Sequence, residues 1–466
     1  MIKRFEIILG IILLSVMLVS CFSTSRVERT SYLRADYYQK SVARIDSLKS
    51  ATEIVIGTIK AGFAKVSITP GLNNIKDIYS EGKFIEVPLA GYGARKGKSA
   101  TGIHDSIFVK AVALKVDRQT LVFVSADLLI MPPNIIDSVT ILLSKQGIRR
   151  EQLFFSATHS HSSIGGWANG YVGKEFAGNE NKNLQRWLVL QISKAVTSAI
   201  ADLRPARIGS GWFNADSYTR NRVIGESGTK NNDFSFIALE QIGYRKAIIG
   251  SFSAHSTTMG SDNMEISADY PGYWERKIEG TSADLALFFA GSVGSQSPVG
   301  KGDGFDRPRF IGESLADSLN EHLPQVVLND KITFSAISLK VQLPGYHIRL
   351  TTKISLSSFL SKKLMPFPEN VYLQALRIGN MIWITTPCDF SGEYALQIKN
   401  SLASKGFNVI VTSFNGSYVG YVVPGRYFYY DQYESKLMGW FGPNMGEYTM
   451  DLIRQISKIV THTENI

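Results

Sequence analysis

Short apolar runs that end in polar loops recur along the chain. They occupy residues 121–124, 153–155, 247–252, 285–289 and 381–384, and Ser, Thr, Gly, His or Asp follows each of them closely. Continuous apolar runs of this length are typical of strands that are buried on both faces. Apolar residues at helical spacing predict helices over residues 184–203, 310–323 and 446–460.

Strands interleaved with helices predict an α/β fold, with a mixed β-sheet core flanked by helices. No internal repeat is visible in the sequence. In such folds, functional sites collect where strands end and loops begin. Polar, chemically capable residues follow at least four of the predicted strands. We therefore expect an active site at one edge of the sheet.

The N-terminal segment has the features of an export signal. Lys3 and Arg4 precede an apolar run over residues 7–19, which is too short to span a bilayer comfortably. The run ends in Leu-Val-Ser-Cys, which resembles the lipobox of bacterial lipoproteins, so we expect lipidation of Cys21. Residues 1–21 would then be a lipoprotein signal peptide, and the mature protein would be held on a membrane in the periplasm or at the cell surface. An uncleaved signal anchor and an ordinary secretory signal are the alternatives.

Composition narrows the possible partners. The chain has 466 residues, 44% hydrophobic and 19% charged, which is enough apolar material for a buried core. Its two cysteines are Cys21 and Cys388, so a lipidated Cys21 leaves no disulfide, and a cysteine-rich metal site is excluded. The net charge of +10 is scattered, without a nucleic-acid motif. This charge balance favours an anionic membrane or glycan surface as the partner over nucleic acid. The alternative is that the charged residues only form a solvated protein surface.

Histidines provide the candidate chemistry. His159 and His161 form a His-x-His pair, whose side chains point to one face if the segment is extended. His255 follows another predicted buried strand in a similar polar setting. Neutral imidazole is the commonest protein ligand for zinc, so these residues indicate a metal site. The His-x-His pair alone is only moderately specific, because it also occurs in barrel amidohydrolases.

Five segments, taken in order, resemble the catalytic domain of neutral/alkaline ceramidases. They are residues 61–70, 90–105, 156–166, 253–257 and 291–298. The resemblance extends over roughly residues 58–460 and implies a catalytic domain over residues 58–466, preceded by a tether and a leading helix over residues 22–57. Ceramidases of this family usually carry an additional C-terminal β-sandwich, which we do not expect within this chain.

The resemblance implies a zinc site. Its ligands would be His159, His255, a carboxylate at Asp389 and a phenol at Tyr433. The family usually has Glu where Asp389 stands, and the shorter arm would require the backbone to come closer. A turn or helix-cap role for Asp389 and aromatic packing for Tyr433 are the alternatives.

The resemblance also implies catalytic residues. Ser297 would be the catalytic serine. His161 and Arg222 would lie beside the metal ligands and contact the carbonyl group of the substrate. The family's nucleophile loop has Asp, Val and Asn at the positions where this sequence has Ser295, Gln296 and Val299. The alternative for Ser297 is that it simply ends a Gly-rich loop.

These assignments imply a Zn²⁺-dependent hydrolase of a linear amide bond. Its substrate would be ceramide or a related N-acyl lipid, and a bound zinc would polarise the scissile carbonyl. One alternative is a hydrolase of the same fold that acts on another amide or ester. The other is a catalytically inactive surface lipoprotein that binds lipid or glycan. The absence of a Gly-x-Ser-x-Gly motif weighs against a serine esterase of the α/β-hydrolase type.

Overall fold

The computed structural model describes residues 23–364 and 369–462. The predicted signal peptide and Cys21 lie outside the described residues, so their assignment stays a prediction. Within the described ranges, no helix combines the length and the apolar character that a membrane span requires.

Twelve strands form one mixed sheet with three arms. In chain order they are β1 (Val55–Ser67), β2 (Phe108–Val116), β3 (Gln119–Ala126), β4 (Leu153–Ala157), β5 (Arg204–Asn214), β6 (Asp233–Gln241), β7 (Lys246–Phe252), β8 (Leu285–Ala290), β9 (Lys331–Lys340), β10 (Tyr372–Ile378), β11 (Met381–Thr385) and β12 (Asn408–Thr412). The five predicted apolar runs all lie within these strands, and those predictions are confirmed.

The long strand β1 joins the three arms. It pairs antiparallel with β2 along most of its length, with β5 at Lys60 and Ala61, and with β9 near its beginning. Each arm then repeats one pattern: two antiparallel pairings followed by a parallel pairing of its last two strands, β3 with β4, β7 with β8, and β11 with β12. The arms are therefore β1–β4, β5–β8 and β9–β12.

Helices cover the outer faces of the arms. They are α1 (Asp36–Ala51), α2 (Pro133–Ser144), α3 (Gly170–Ala177), α4 (Lys182–Ala201), α5 (Asp269–Thr281), α6 (Asp306–His322), α7 (Ser358–Leu364), α8 (Gly392–Ala403), α9 (Tyr433–Lys436) and α10 (Met445–Thr461). The three helices predicted from apolar spacing correspond to α4, α6 and α10. The Asn181 side chain accepts hydrogen bonds from the backbone N–H groups of residues 183 and 184, which explains why α4 begins where it does.

The inner faces of the three arms share one core. Phe123 and Phe154 from the first arm, Phe289 from the second and Trp383 from the third are fully buried and in ring contact. On the outer faces, α2 and α4 pack on the first arm, α5 and α6 on the second, and α1, α8 and α10 on the third. Strands covered on both sides have no polar face, which accounts for the unbroken apolar runs in the sequence.

The arms also repeat one order of elements. Apart from the short helices α3, α7 and α9, each arm has three strands, a helix, a fourth strand and a further helix. The order is β1–β2–β3–α2–β4–α4, then β5–β6–β7–α5–β8–α6, then β9–β10–β11–α8–β12–α10. This structural repeat has no visible counterpart in the sequence. Its consequence is that each arm contributes the loops at the carboxyl ends of its parallel strands to the same region.

Five two-stranded ladders connect the loops: Thr24–Arg26 with Ile354–Leu356, Leu89–Ala90 with Ser163–Ile164, Gly102–Ile103 with Glu265–Ile266, Thr219–Asn221 with Gln296–Pro298, and Asp389–Phe390 with Tyr421–Val422.

Candidate active site

The two histidine loops lie against each other. His159 follows β4 and His255 follows β7, and their ring centroids are 4.5 Å apart. A parallel bridge between Ser160 and Ser256 joins the loops, and the Ser256 hydroxyl donates a hydrogen bond of 2.6 Å to the carbonyl of Thr158. The sequence prediction that these histidines form one centre therefore agrees with the geometry.

Asp389, the first residue of the short strand Asp389–Phe390 that follows β11, completes this centre. Its Oδ1 atom lies 3.4 Å from Nε2 of His159 and 3.3 Å from Nε2 of His255. All three side chains are buried, and Oδ1 has no hydrogen-bond partner among the described residues. A buried carboxylate oxygen that faces two imidazole nitrogens suits a cation bound between them, because an uncompensated buried charge is costly.

Hydrogen bonds determine which imidazole nitrogen faces the centre. The Nδ1 atom of His159 lies 2.6 Å from the carbonyl of Leu129, and that of His255 lies 3.0 Å from the carbonyl of Gln296. A carbonyl can only accept, so Nδ1 carries the proton in each ring and Nε2 presents its lone pair. This is the arrangement by which proteins orient metal-binding histidines.

The electrostatics of the site favour neutral imidazoles. Burial and the adjacent His255 ring lower the pKa of His159 to about 3. Burial also lowers the pKa of His161 and of His255 well below the ordinary value. For Asp389, burial raises the pKa, and the nearby His159 opposes this change. Neutral imidazoles next to a carboxylate are a donor set suited to a divalent cation.

His159 adopts an unusual backbone conformation. Its φ of +61° lies in the left-handed region, which non-glycine residues rarely enter. Phe414, itself at φ +64°, stacks on the imidazole at 4.4 Å between ring centroids. Backbone strain of this kind is characteristic of functional sites, and the stacking holds the His159 ring in the orientation that Asp389 requires.

His161 belongs to the same group of side chains. Its Nε2 lies 3.3 Å from Nε2 of His159, and one nitrogen from each of His159, His161 and His255 falls within 4.8 Å of the others. These three histidines could together hold a metal ion. The buried Nδ1 of His161 has no partner among the described residues.

Two tyrosines that the sequence analysis did not single out contact the centre. The Tyr421 hydroxyl lies 2.9 Å from Nε2 of His255, and the Tyr418 hydroxyl donates a hydrogen bond of 2.7 Å to Oδ2 of Asp389. Both follow β12, and Tyr421 pairs directly with Asp389 in a short ladder. They lie six and nine residues beyond the end of β12 rather than directly after it, so the rule applied to the other strands would not have found them.

Arg222 reaches the centre through Tyr421. Its Nη2 donates a hydrogen bond of 2.8 Å to the Tyr421 hydroxyl, and its Nε lies 2.8 Å from a carboxylate oxygen of the buried Glu434. Glu434 was also missed in the sequence, where it has no distinguishing pattern. The guanidinium is thus fixed beside the two histidines.

A cavity of about 440 Å³ opens onto this centre. The part of its wall that belongs to the centre, here called its head, consists of His159, His161, Asp389, Tyr421 and Tyr433. The remaining wall is mainly apolar and includes Leu129, Ile130, Trp167, Val172, Phe176, Met438 and Trp440. The Tyr433 ring packs edge-on against Tyr421 at 5.7 Å, so the predicted phenol ligand stands at the cavity wall, and its role as a ligand stays a prediction.

Ser297 lies at the border of the site. It belongs to the short strand Gln296–Pro298, and it is not among the described residues that line the cavity. The adjacent Gln296 side chain is fully buried and bonded to the backbone of Asn231, while the Ser295 hydroxyl accepts a hydrogen bond from the N–H of Gly392. Ser295 and Gln296, two of the three residues that depart from the family's nucleophile loop, are therefore integrated into the scaffold.

Fold and site together define an α/β protein with a histidine–carboxylate centre at the head of a largely apolar cavity. Residues 74–303 match the family model of neutral/alkaline non-lysosomal ceramidase, N-terminal. Through this segment the chain belongs to the ceramidase family, and membership of the family supports a hydrolase.

Two solved structures resemble the chain. Neutral ceramidase from Pseudomonas aeruginosa is 20% identical, with 88% of this chain and 76% of that chain covered and a TM-score of 0.71. A ceramidase complexed with C2 is 19% identical, with 88% and 77% covered and a TM-score of 0.73. At these identities the likeness establishes the fold, and the predicted α/β catalytic-domain architecture is confirmed.

Proposed function

We propose that the protein is a zinc-dependent hydrolase of a linear amide bond, and that its substrate is ceramide or a related N-acyl lipid. One observation carries the proposal. Two imidazole nitrogens lie 3.3–3.4 Å from an unpartnered, buried carboxylate oxygen at the head of an apolar cavity.

The spacing of the donor atoms supports zinc. With zinc–ligand distances of roughly 2.0–2.1 Å, neighbouring donors of a tetrahedral site lie about 3.4 Å apart. The separations from Asp389 to His159 and to His255 agree with this value. His159, His255 and Asp389 would hold the metal, with Tyr433 as the further ligand. When bound, zinc supplies Lewis-acid polarisation of a carbonyl and a nucleophile at neutral pH.

The cavity supports an N-acyl lipid as the substrate. Such a molecule has one polar, scissile amide and a long apolar chain. The histidine centre forms one part of the cavity wall, and Leu129, Trp167 and Phe176 offer apolar contacts elsewhere along it. Further polar residues also line the cavity, namely Asn134, Asp137, Asn169, Glu369 and Asn370. Burial of methylene groups contributes about 0.8 kcal/mol each, so an acyl chain along this wall would bind well and place the amide at the centre.

The surrounding side chains support roles in amide hydrolysis. Arg222, held by Tyr421 and Glu434, is placed to stabilise the charge that develops on the carbonyl oxygen. His161, with one unpartnered nitrogen, is placed to move a proton to the leaving amine. Ser297 is the candidate nucleophile or water-positioning residue, and a substrate that extends beyond the cavity head towards the strand Gln296–Pro298 would bring it into contact.

We also propose that the protein is an exported bacterial lipoprotein whose acyl anchor at Cys21 attaches it to a membrane. The lipobox-like Leu-Val-Ser-Cys sequence supports this. An anchored enzyme would meet a lipid substrate in the surface where that substrate resides. Mass spectrometry of the mature N-terminus tests the assignment, because an unacylated Cys21 or an intact signal would contradict it.

Metal analysis and turnover of matched variants test the enzymatic proposal. We expect about one zinc per chain in the purified protein, and release of free fatty acid from N-acylsphingosine. His159→Ala should lose the metal and lower kcat/KM by at least about 10³-fold, since it removes a ligand. His322→Ala serves as the control, because His322 stacks on Phe213 and bonds to Ser318 in α6.

Ser297→Ala separates the alternatives. A catalytic serine predicts normal zinc content with strongly reduced kcat. Unchanged turnover would remove Ser297 from the mechanism but leave the zinc hydrolase intact. Stoichiometric zinc without turnover of any N-acyl lipid, other amide or ester would instead establish an inactive, lipid-binding or glycan-binding protein.

A further inference from the structure

Large apolar side chains are exposed around the mouth of the cavity. Val172 and Phe176 of α3 line the cavity, whereas Tyr171 on the same helix is 69% exposed. Met438 also lines the cavity, and the adjacent Leu437 is 58% exposed. Side chains of this kind at the mouth of a cavity need a partner, because contiguous apolar surface is unfavourable in water.

Helix α7 extends this surface. It packs against α3, and its Phe359 side chain is 66% exposed. We call Tyr171, Phe359 and Leu437 the rim cluster. Two adjacent lysines of α7, Lys362 and Lys363, are exposed beside it. Aromatic and apolar side chains with neighbouring lysines are typical of protein surfaces that lie in the headgroup region of a bilayer.

The first described residues lie beside the same helix. The strand Thr24–Arg26 pairs with Ile354–Leu356, which leads directly into α7, and the N–H of Ser357 donates a hydrogen bond of 2.8 Å to the carbonyl of Ser23. Cys21 precedes Ser23 by two residues in the sequence. Two residues reach at most about 7 Å, so a lipid on Cys21 would enter the membrane close to α7.

We propose that the rim cluster and the lysines of α7 form a membrane-docking surface, which holds the mouth of the cavity against the outer layer of a lipid bilayer. The occupant is the bilayer that receives the Cys21 acyl chains. An N-acyl lipid would then pass from the bilayer into the cavity without crossing water. This inference rests on the proposed function for its purpose, but docking itself requires no turnover.

Site-directed fluorescence tests the orientation on full-length, lipid-anchored protein reconstituted in vesicles of phosphatidylcholine with phosphatidylglycerol. An environment-sensitive thiol probe is attached to Phe359→Cys and, separately, to Tyr171→Cys. Ile242→Cys is the matched control, because Ile242 is 51% exposed and lies in the β6–β7 turn at the opposite end of the strands. The parent chain is the labelling blank, since Cys388 is buried.

We expect blue-shifted emission of the probe at positions 359 and 171 in the vesicles, together with quenching by bromine-labelled lipids, and neither effect at position 242. No shift at positions 359 and 171, or an equal shift at all three, would overturn the proposal. The Phe359→Cys experiment is repeated in a His159→Ala background. A shift that persists in this background, in a protein without turnover, establishes docking independently of the enzymatic proposal. Loss of the shift in this background would contradict the proposal that the rim cluster docks on the bilayer without turnover.

The lysines provide a second readout. Each Lys near an anionic surface contributes about 1 kcal/mol, or roughly fivefold in binding. Lys363→Gln should therefore reduce the blue-shifted fraction on anionic vesicles several-fold, whereas Lys145→Gln, at the end of α2, should leave it unchanged. Equal fractions for both variants would contradict the electrostatic part of the proposal.

Discussion

Asp389 shows how a short side chain can serve where the related family usually has a longer one. Its Oδ1 atom comes within 3.4 Å of both imidazoles because the backbone lies close to the centre. The direct pairing of Asp389 with Tyr421 fixes that backbone, and the hydrogen bond from Tyr418 fixes the carboxylate. Individual residues thus act here through the partners that orient them.

Tyr418→Phe should weaken metal binding without unfolding the protein. The substitution removes the 2.7 Å hydrogen bond to Oδ2 of Asp389 and leaves the ring in place. Loss of such an outer-shell partner typically lowers metal affinity by about 10–100-fold. Competition with a chromogenic chelator measures the change. Tyr394→Phe is the control, because Tyr394 is also largely buried but bonds to Glu447. Equal affinities for the two variants would contradict the assigned role of Tyr418.

Asp269 should make stability depend on pH. Burial raises the pKa of this carboxyl to about 6 from the model-compound value of 3.8, while hydrogen bonds from Thr258 and the N–H of Tyr270 oppose the change. Because the folded-state pKa is raised, the protonated carboxyl is relatively favourable in the fold. Its contribution is fully present below about pH 4 and is lost as the pH rises through about 6. Full ionisation would cost about 3 kcal/mol.

Thermal unfolding between pH 4 and 7 tests this assignment. The difference in melting temperature between wild type and Asp269→Asn should change progressively across this interval, in favour of the variant at higher pH. The exposed Asp262 provides the surface control, and Asp262→Asn should change the melting temperature little. A pH-independent difference for Asp269→Asn would contradict the shifted titration.

At the scale of elements, the loop that contains Ser297 is packed tightly on the strand that contains Asp389. A Cβ atom at Gly294 would lie 2.4 Å from the carbonyl oxygen of Asp389 and 2.7 Å from its carbonyl carbon. No side chain fits at this distance from backbone atoms. Glycine is thus required by close approach, and the two segments cannot move independently.

Gly294→Ala should displace these segments and impair the site. We expect a metal affinity lower by at least about tenfold, because Asp389 would move relative to the imidazoles, and a reduced melting temperature. Gly280→Ala is the control, since nothing lies within 4 Å of its Cβ position in α5, and it should be neutral or stabilise the protein by up to about 1 kcal/mol. Isothermal titration with zinc distinguishes the two. Normal affinity in Gly294→Ala would show that the contact is dispensable.

At the scale of the whole molecule, ion pairs fasten the arms to each other. Lys110 on β2 is almost completely buried and contacts Glu275 at 2.9 Å and Glu279 at 2.8 Å, both on α5. It also donates a hydrogen bond of 2.7 Å to the carbonyl of Ala286 on β8. This network joins the first arm to the second, which contribute His159 and His255 respectively.

Lys110→Met should therefore destabilise the whole protein. It leaves the buried Glu275 without its cation, which typically costs about 3–5 kcal/mol. The midpoint of urea unfolding should fall substantially, whereas Lys115→Met, on the same strand but less buried, should change stability by no more than about 0.5 kcal/mol. Similar midpoints for both variants would mean that the network contributes little.

The apolar runs in the sequence were sufficient to predict the strands that carry the site and the polar residues that follow them. Buried strands between helices require unbroken apolar runs, so residues 153–155, 247–252 and 381–384 could be identified as strands without a structure. His159 and His255 could be proposed because each closely follows such a run, whereas Asp389 was proposed through the resemblance to the ceramidase family. The pairing of the strands could be learned only from the folded structure, because strands that are buried on both faces carry no pattern that specifies their neighbours. The folded structure also shows that the three arms converge and that Tyr418, Tyr421 and Glu434 support the centre. It places Ser297 outside the lining of the cavity.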